Sequence, residues 1–189
     1  MTAADPHSLA AALAPADPAD ASWFPFDVDV KGGRLQWLRV DETLIAESAF
    51  LDPRMPTAGR PQALTALAPV AGLLPPDAAP AWLWHTSFCG STLLARILHL
   101  APHSVALREP LELRRLSDAA DAGLDVAPWL PPLIALLARP WQPAGRVVVK
   151  PTHAALNLAR HAMAATPEAR ALLITSPLED FVISHLKKS

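Results

Sequence analysis

The stretch Trp82-Leu83-Trp84-His85-Thr86-Ser87-Phe88-Cys89-Gly90-Ser91-Thr92-Leu93-Leu94-Ala95-Arg96-Ile97-Leu98 decides how this chain is read. Its first four residues are a short apolar run, small and polar residues follow, and Leu93, Leu94, Ile97 and Leu98 then recur at helical spacing. The pattern is strand, tight loop, amphipathic helix. A loop at such a junction aims backbone N–H groups and the positive end of the helix dipole at one point, which suits an anion. Gly90 lets a ligand approach the backbone closely, and Ser91 and Thr92 add hydroxyl donors. The same residues also fit a plain helix cap, with Ser91 or Thr92 as the capping side chain. Gly90 is followed by serine rather than lysine, so the Walker A pattern of nucleotide hydrolases is not met.

Outward from this loop, apolar runs alternate with helical patterns in the manner of βαβ units. The spacing predicts strands over 81–85, 104–107, 146–150 and 171–175, and helices over 92–100, 111–122, 128–138, 153–165 and 178–188. Val147-Val148-Val149 is β-branched and uninterrupted, as in a strand covered on both faces. Upstream, the alternation of Phe24, Phe26, Val28 and Val30, a Lys31-Gly32-Gly33 turn and the run Leu35 to Val40 predict a β-hairpin within 23–50. A Pro-marked connection with a short helix over 62–67 joins it to the rest. Residues 1–22, poor in bulky apolar side chains, read as a flexible arm. The expected fold is therefore α/β: a three-layer, P-loop-type parallel sheet flanked by helices over 81–189, with an N-terminal hairpin appendage over 23–80.

The 189 residues are 51% hydrophobic, enough for one real core. Sixteen basic and eighteen acidic residues leave a net charge of −2 without long single-sign runs, which argues against a general nucleic-acid binder. A single cysteine, Cys89, excludes an internal disulfide and a zinc cluster and fits a reducing compartment. No signal-peptide pattern and no apolar run of spanning length is found, so the chain reads as cytoplasmic, with no membrane partner.

Within the quoted stretch, His85 to Arg96 (HTSFCGSTLLAR) resembles the 5′-phosphosulfate-binding loop of sulfotransferases. That pattern is a basic residue, a small residue, glycine, two hydroxyl residues and a helix. Ser87, Cys89, Gly90, Ser91 and Thr92 match the donor-binding loop, while Phe88 stands where many members carry lysine or arginine. The resemblance implies transfer of a sulfuryl group from 3′-phosphoadenosine 5′-phosphosulfate to a hydroxyl or amine of a small-molecule or saccharide acceptor, with no metal.

Three later segments follow in the family's order. Leu107-Arg108-Glu109-Pro110 ends a strand, because Pro110 biases Glu109 away from helix, and the carboxyl edge of such sheets is where ligands bind. Glu109 is a candidate base for the acceptor, or else half of a surface pair with Arg108. Val149-Lys150-Pro151-Thr152-His153 resembles the family's Lys-Thr-His segment apart from the proline, which implies His153 as an alternative base and Lys150 as the cation that Phe88 does not supply. A strand-end lysine that merely reaches solvent is the plainer reading of Lys150. Ser176 to Ser184 is spaced like the family's 3′-phosphate motif. Asp180 and Ser184 fit it, and Ser176 replaces an arginine whose fork a hydroxyl cannot reproduce. The same segment also reads as a capping box of Ser176, Pro177 and Glu179, with Lys187 and Lys188 at the helix end. The resemblance covers residues 81–188 and implies a domain lacking its C-terminal part, completed by self-association or by a partner at an open sheet edge. Two other classes remain: a catalytically impaired binding or accessory protein, and a P-loop nucleotide phosphotransferase.

Overall fold

The computed structural model describes residues 16–67, 70 and 79–187, the side chain of His185 excepted. Most of the expected arm, part of the Pro-marked connection and Lys188 lie outside these residues. An antiparallel sheet is formed by β1 (Trp23–Asp29), β2 (Arg34–Arg39) and β3 (Gln62–Ala66), in that spatial order. The β1–β2 hairpin pairs Trp23 with Arg39 and Val28 with Leu35, with an irregularity between Pro25 and Asp27. Its turn is closed by Asp29, whose Oδ1 accepts from the Gly32 N–H at 2.8 Å.

The short helix expected over 62–67 is a correction: Gln62–Ala66 is a strand, paired with β2 from Arg34↔Ala66 to Leu38↔Gln62. Gln, Ala and Leu favour helix in isolation, but the free edge of β2 and burial of Ala63 favour the sheet here. Between β2 and β3 lies α1 (Glu42–Glu47), capped by Asp41, whose carboxylate accepts from the Leu44 N–H at 2.7 Å.

The second sheet is parallel. It contains β4 (Ala81–His85), β5 (Ser104–Arg108), β6 (Arg146–Lys150) and β7 (Ala171–Ile174), in the order β5-β6-β4-β7. Its helices are α2 (Ser91–Ile97), α3 (Leu111–Asp121), α4 (Leu130–Leu137), α5 (Ala159–Ala165) and α6 (Leu178–Leu186). A 3₁₀ turn over His153–Leu158 precedes α5, so the helix expected over 153–165 begins in the tighter form. The register aligns Arg108 with Lys150 and His85 with Ile174. The carboxyl ends of all four strands therefore lie along one edge, where ligands of open α/β sheets bind.

One apolar cluster runs through both sheets, from Phe24, Leu35 and Trp37 to Leu107, Leu133 and Val149. Each such buried side chain stabilises the fold by about 1.5–3 kcal/mol. Residues 16–22 are held rather than free. Arg139, after α4, donates to the carbonyls of Pro18 and Asp20 at 2.8 Å and of Trp23 at 2.7 Å, while its plane lies over the Trp37 ring. Burial lowers the Arg139 pKa to about 10, so it keeps its charge at neutral pH. Leu93 and Ile97 of α2, Leu172 and Leu173 of β7, and Leu178 and Leu186 of α6 are exposed. Among the described residues, no helix is long and apolar enough to cross a membrane.

Candidate functional site

At the carboxyl edge of the parallel sheet lies a cleft of about 530 Å³, lined by His85, Ser87, Phe88, Cys89, Gly90, Ser91, Thr92, Glu109 and His153. Seven of the nine come from the loop quoted first, and Glu109 and His153 arrive from the ends of β5 and β6. The structure thus brings together the loop and both candidate bases. Ser184 lies on α6, outside the lining residues. The α6 segment still reaches the loop, because Phe181 meets Phe88 edge to face with ring centroids 6.3 Å apart.

Gly90 caps α2 at φ 78° with no side-chain cap bond, and nothing lies within 4 Å of where its Cβ would stand. The glycine is required by its left-handed backbone and leaves open space at the mouth of the cleft. Two residues with side chains share that unfavourable region at the same place, Phe88 at φ 59° and Glu109 at φ 52°. Such conformations persist where surrounding structure enforces them, and they concentrate at functional sites. Inside the loop, Cys89 Sγ donates to the Thr86 carbonyl at 3.0 Å. The hydroxyls of Thr86 and Ser176 are buried without a partner. The capping box expected at Ser176 is therefore not formed, and α6 instead begins with the Phe181 N–H bonded to the Pro177 carbonyl.

Lys150 is fully buried at the end of β6, and its Nζ donates to Glu109 Oε1 at 2.6 Å. Burial pushes its pKa down and Glu109 pulls it back up. The ammonium is paired with the carboxylate, and the reading of a strand-end lysine that reaches solvent is corrected by its burial. Arg108 is no partner of Glu109 at the surface. It is 1% exposed and points away, its Nη2 donating to the carbonyls of Ile45 at 2.5 Å and Ala46 at 2.9 Å, and its Nε to that of Ser48 at 3.1 Å. These are the orphan carbonyls at the C-terminus of α1, where a cation is favoured. The backbone completes the strap: the Leu51 N–H donates to the Arg108 carbonyl at 2.7 Å, and the Leu111 N–H to that of Leu51 at 3.0 Å.

His85 sits beneath the loop at 4% exposure, with Nδ1 2.8 Å from the Thr86 carbonyl and Nε2 2.9 Å from that of Pro151. A neutral imidazole has one N–H, so only its cationic form can donate to both oxygens. Burial and the nearby Lys150 oppose that form and lower its pKa, against the pull of the two carbonyls and Glu109. His153 is exposed, edge-on to His85 at 6.4 Å between centroids.

Two features were missed from sequence. Arg108 offers no surface charge to pair with Glu109, and its place after the apolar run Val105-Ala106-Leu107 was the signal that it points inward. Glu112 is fully buried with neither carboxylate oxygen bonded, and burial, with Asp27 nearby, raises its pKa well above the ordinary carboxylate value. Its position four residues before Leu116 and seven before Ala119, on the apolar face of α3, was the available signal.

Compared with known proteins, the chain matches no family model, no curated protein and no solved structure. Among the described residues no group of His, Cys, Asp and Glu is arranged to hold a metal ion.

Proposed function

We propose that this chain is a sulfotransferase-like protein that transfers a sulfuryl group from 3′-phosphoadenosine 5′-phosphosulfate to a hydroxyl or amine acceptor. The observation that carries the reading is the convergence, on one cleft, of a glycine-capped hydroxyl loop and a carboxylate held by a buried ammonium. The donor's phosphosulfate would lie against Ser87, Cys89, Gly90, Ser91 and Thr92. Glu109 would take the proton from the acceptor hydroxyl. The acceptor oxygen bonds to sulfur as the bond from sulfur to the 5′-phosphate oxygen breaks, and adenosine 3′,5′-bisphosphate leaves with the charge. Catalysis of this type rests on in-line positioning and on electrostatic stabilisation of the transferring group.

The second reading, a donor-binding protein without turnover, is favoured by one observation: none of the residues lining the cleft is lysine or arginine. The two readings part in one experiment, calorimetric titration with adenosine 3′,5′-bisphosphate followed by a radiolabelled sulfuryl-transfer assay. Saturable binding that is lost in Gly90→Trp, with transfer lost in Glu109→Gln, is expected for the enzyme. Binding without transfer leaves the second reading, and no binding by the folded chain overturns both.

A further inference from the structure

Leu172 and Leu173 of β7 are 51% and 61% exposed, and successive strand residues point to opposite faces of a sheet. Both faces of this edge strand are therefore apolar and uncovered, whereas parallel sheets are ordinarily buried on both. The geometry points to β7 and α6 as a self-association face, independently of the sulfuryl-transfer reading. A second copy of the chain pairs its β7 antiparallel with this one about a twofold axis, continuing the four-stranded sheet into that of its partner.

The backbone requires a strand as the occupant. β7 pairs with β4 on one side only. The Trp82 N–H donates to the Arg170 carbonyl at 2.8 Å and the Thr86 N–H to that of Ile174 at 3.0 Å. Strand alternation then turns the N–H and C=O groups of Ala171 and Leu173 away from β4, as a row open to another strand. Edge strands are usually blunted by a charge, a proline or a bulge. Ala171-Leu172-Leu173-Ile174 carries none of these, and its register against β4 is regular. A small molecule or a helix would cover one face of β7 and leave the row unpaired.

Charge selects a copy of this chain as the bearer of that strand. α6 has Glu179 and Asp180 in its first turn and Lys187 just past its end, all exposed. A twofold axis at Leu173 sets α6 against its copy in the opposite direction, so that acid meets base at both ends. Between these charges lie Leu178, 77% exposed, and Val182 one turn on, with Ile183 beside them. The area agrees. Leu93 and Ile97 of α2 follow the loop that meets α6 through Phe88 and Phe181. With them, the exposed aliphatic side chains of β7 and α6 offer roughly 250–500 Å², at the area a buried aliphatic side chain carries. A standard interface of about 800 Å² per partner is about 65% apolar in homodimers, which is about 500 Å².

Sedimentation velocity and light scattering of the whole chain test this. A dimer that dissociates on dilution is expected. Leu173→Lys should weaken it about tenfold or more, because like charges then stand opposite each other at the axis. Leu178→Lys reads the helix half of the face and should weaken it too. Both side chains are exposed, so thermal unfolding should show each variant folded. Leu64→Lys, at an exposed leucine of β3, is the control and should leave the dimer within about twofold. Leu173→Cys in a Cys89→Ala background should crosslink to its copy under mild oxidation, since directly opposed Cα atoms lie about 5.5 Å apart. If Leu173→Lys does not fold, the crosslink decides. A chain that is monomeric at every concentration overturns the inference, and its binding to phosphatidylcholine vesicles would assign the face to lipid instead. A dimer that survives Leu173→Lys, or that does not crosslink through Leu173→Cys, overturns it equally.

Discussion

Replacing Arg108 by methionine should unfasten α1 from the parallel sheet. The guanidinium donates to the carbonyls of Ile45, Ala46 and Ser48, of which the bonds to Ile45 and Ser48 are buried. Two orphaned buried carbonyls cost about 1–3 kcal/mol each, while Ala46, part-exposed, can turn to water. Set against this is the relief of a buried cation with no carboxylate partner, whose pKa burial already lowers. The balance is a loss of about 2–4 kcal/mol, or roughly 4–16 °C in Tm for a chain of this length. Arg108→Lys should cost a similar amount, since one ammonium cannot bridge three carbonyls. Arg114→Met, which removes an exposed ion pair with Asp118, is the control and should stay within about 0.5 kcal/mol. Urea unfolding followed by tryptophan fluorescence measures all three. An Arg108→Met variant within about 1 kcal/mol of wild type would refute the strap as a source of stability.

Three further outcomes are expected. Glu112→Leu should raise stability at pH 7 by about 1–3 kcal/mol, because a buried acid without bonds is replaced by an apolar side chain. Since the folded pKa of Glu112 lies above its unfolded value, its contribution is fully present below about pH 4.5, is lost as pH rises towards the folded pKa, and should vanish from the pH profile in the variant. Glu109→Gln should destabilise by about 2–4 kcal/mol by stranding a fully buried ammonium, more than Lys150→Met, whose loss leaves a part-exposed carboxylate; equal losses in denaturant unfolding would contradict this ordering. Finally, an anion in the loop should draw a proton onto His85, whose cation alone satisfies both carbonyls against the opposition of burial and Lys150, with His153 and Glu109 the other ionisable neighbours. Phosphate binding should then tighten from pH 8 to 6 with proton uptake, seen as a buffer-dependent calorimetric heat; no uptake in a His153→Gln background would count against His85.

The four parallel strands and the loop were readable because each signal is local: β-branched runs, a glycine at a left-handed position and helical spacing after it. The hairpin β1–β2 was readable for the same reason. The strand β3 was not, since Gln62 to Ala66 carries no alternation of its own and takes its form from β2. For the site, Glu109, His153 and Cys89 to Thr92 could be named from motif order, but the pairing of Lys150 with Glu109 depends on the register of β5 against β6, which spacing does not specify. The fastening of residues 45–51 to the end of β5 was not readable, because Ser48 to Pro56 has no periodicity and the hold comes from a guanidinium sixty residues away.

Arg108 grips main-chain oxygens, which every residue possesses whatever its side chain. Sequence drift in the side chains at 45, 46 and 48 therefore leaves the acceptors of this fastening in place. A library randomised at the exposed positions 46 and 47, proline and glycine excepted, should keep its melting temperatures close together.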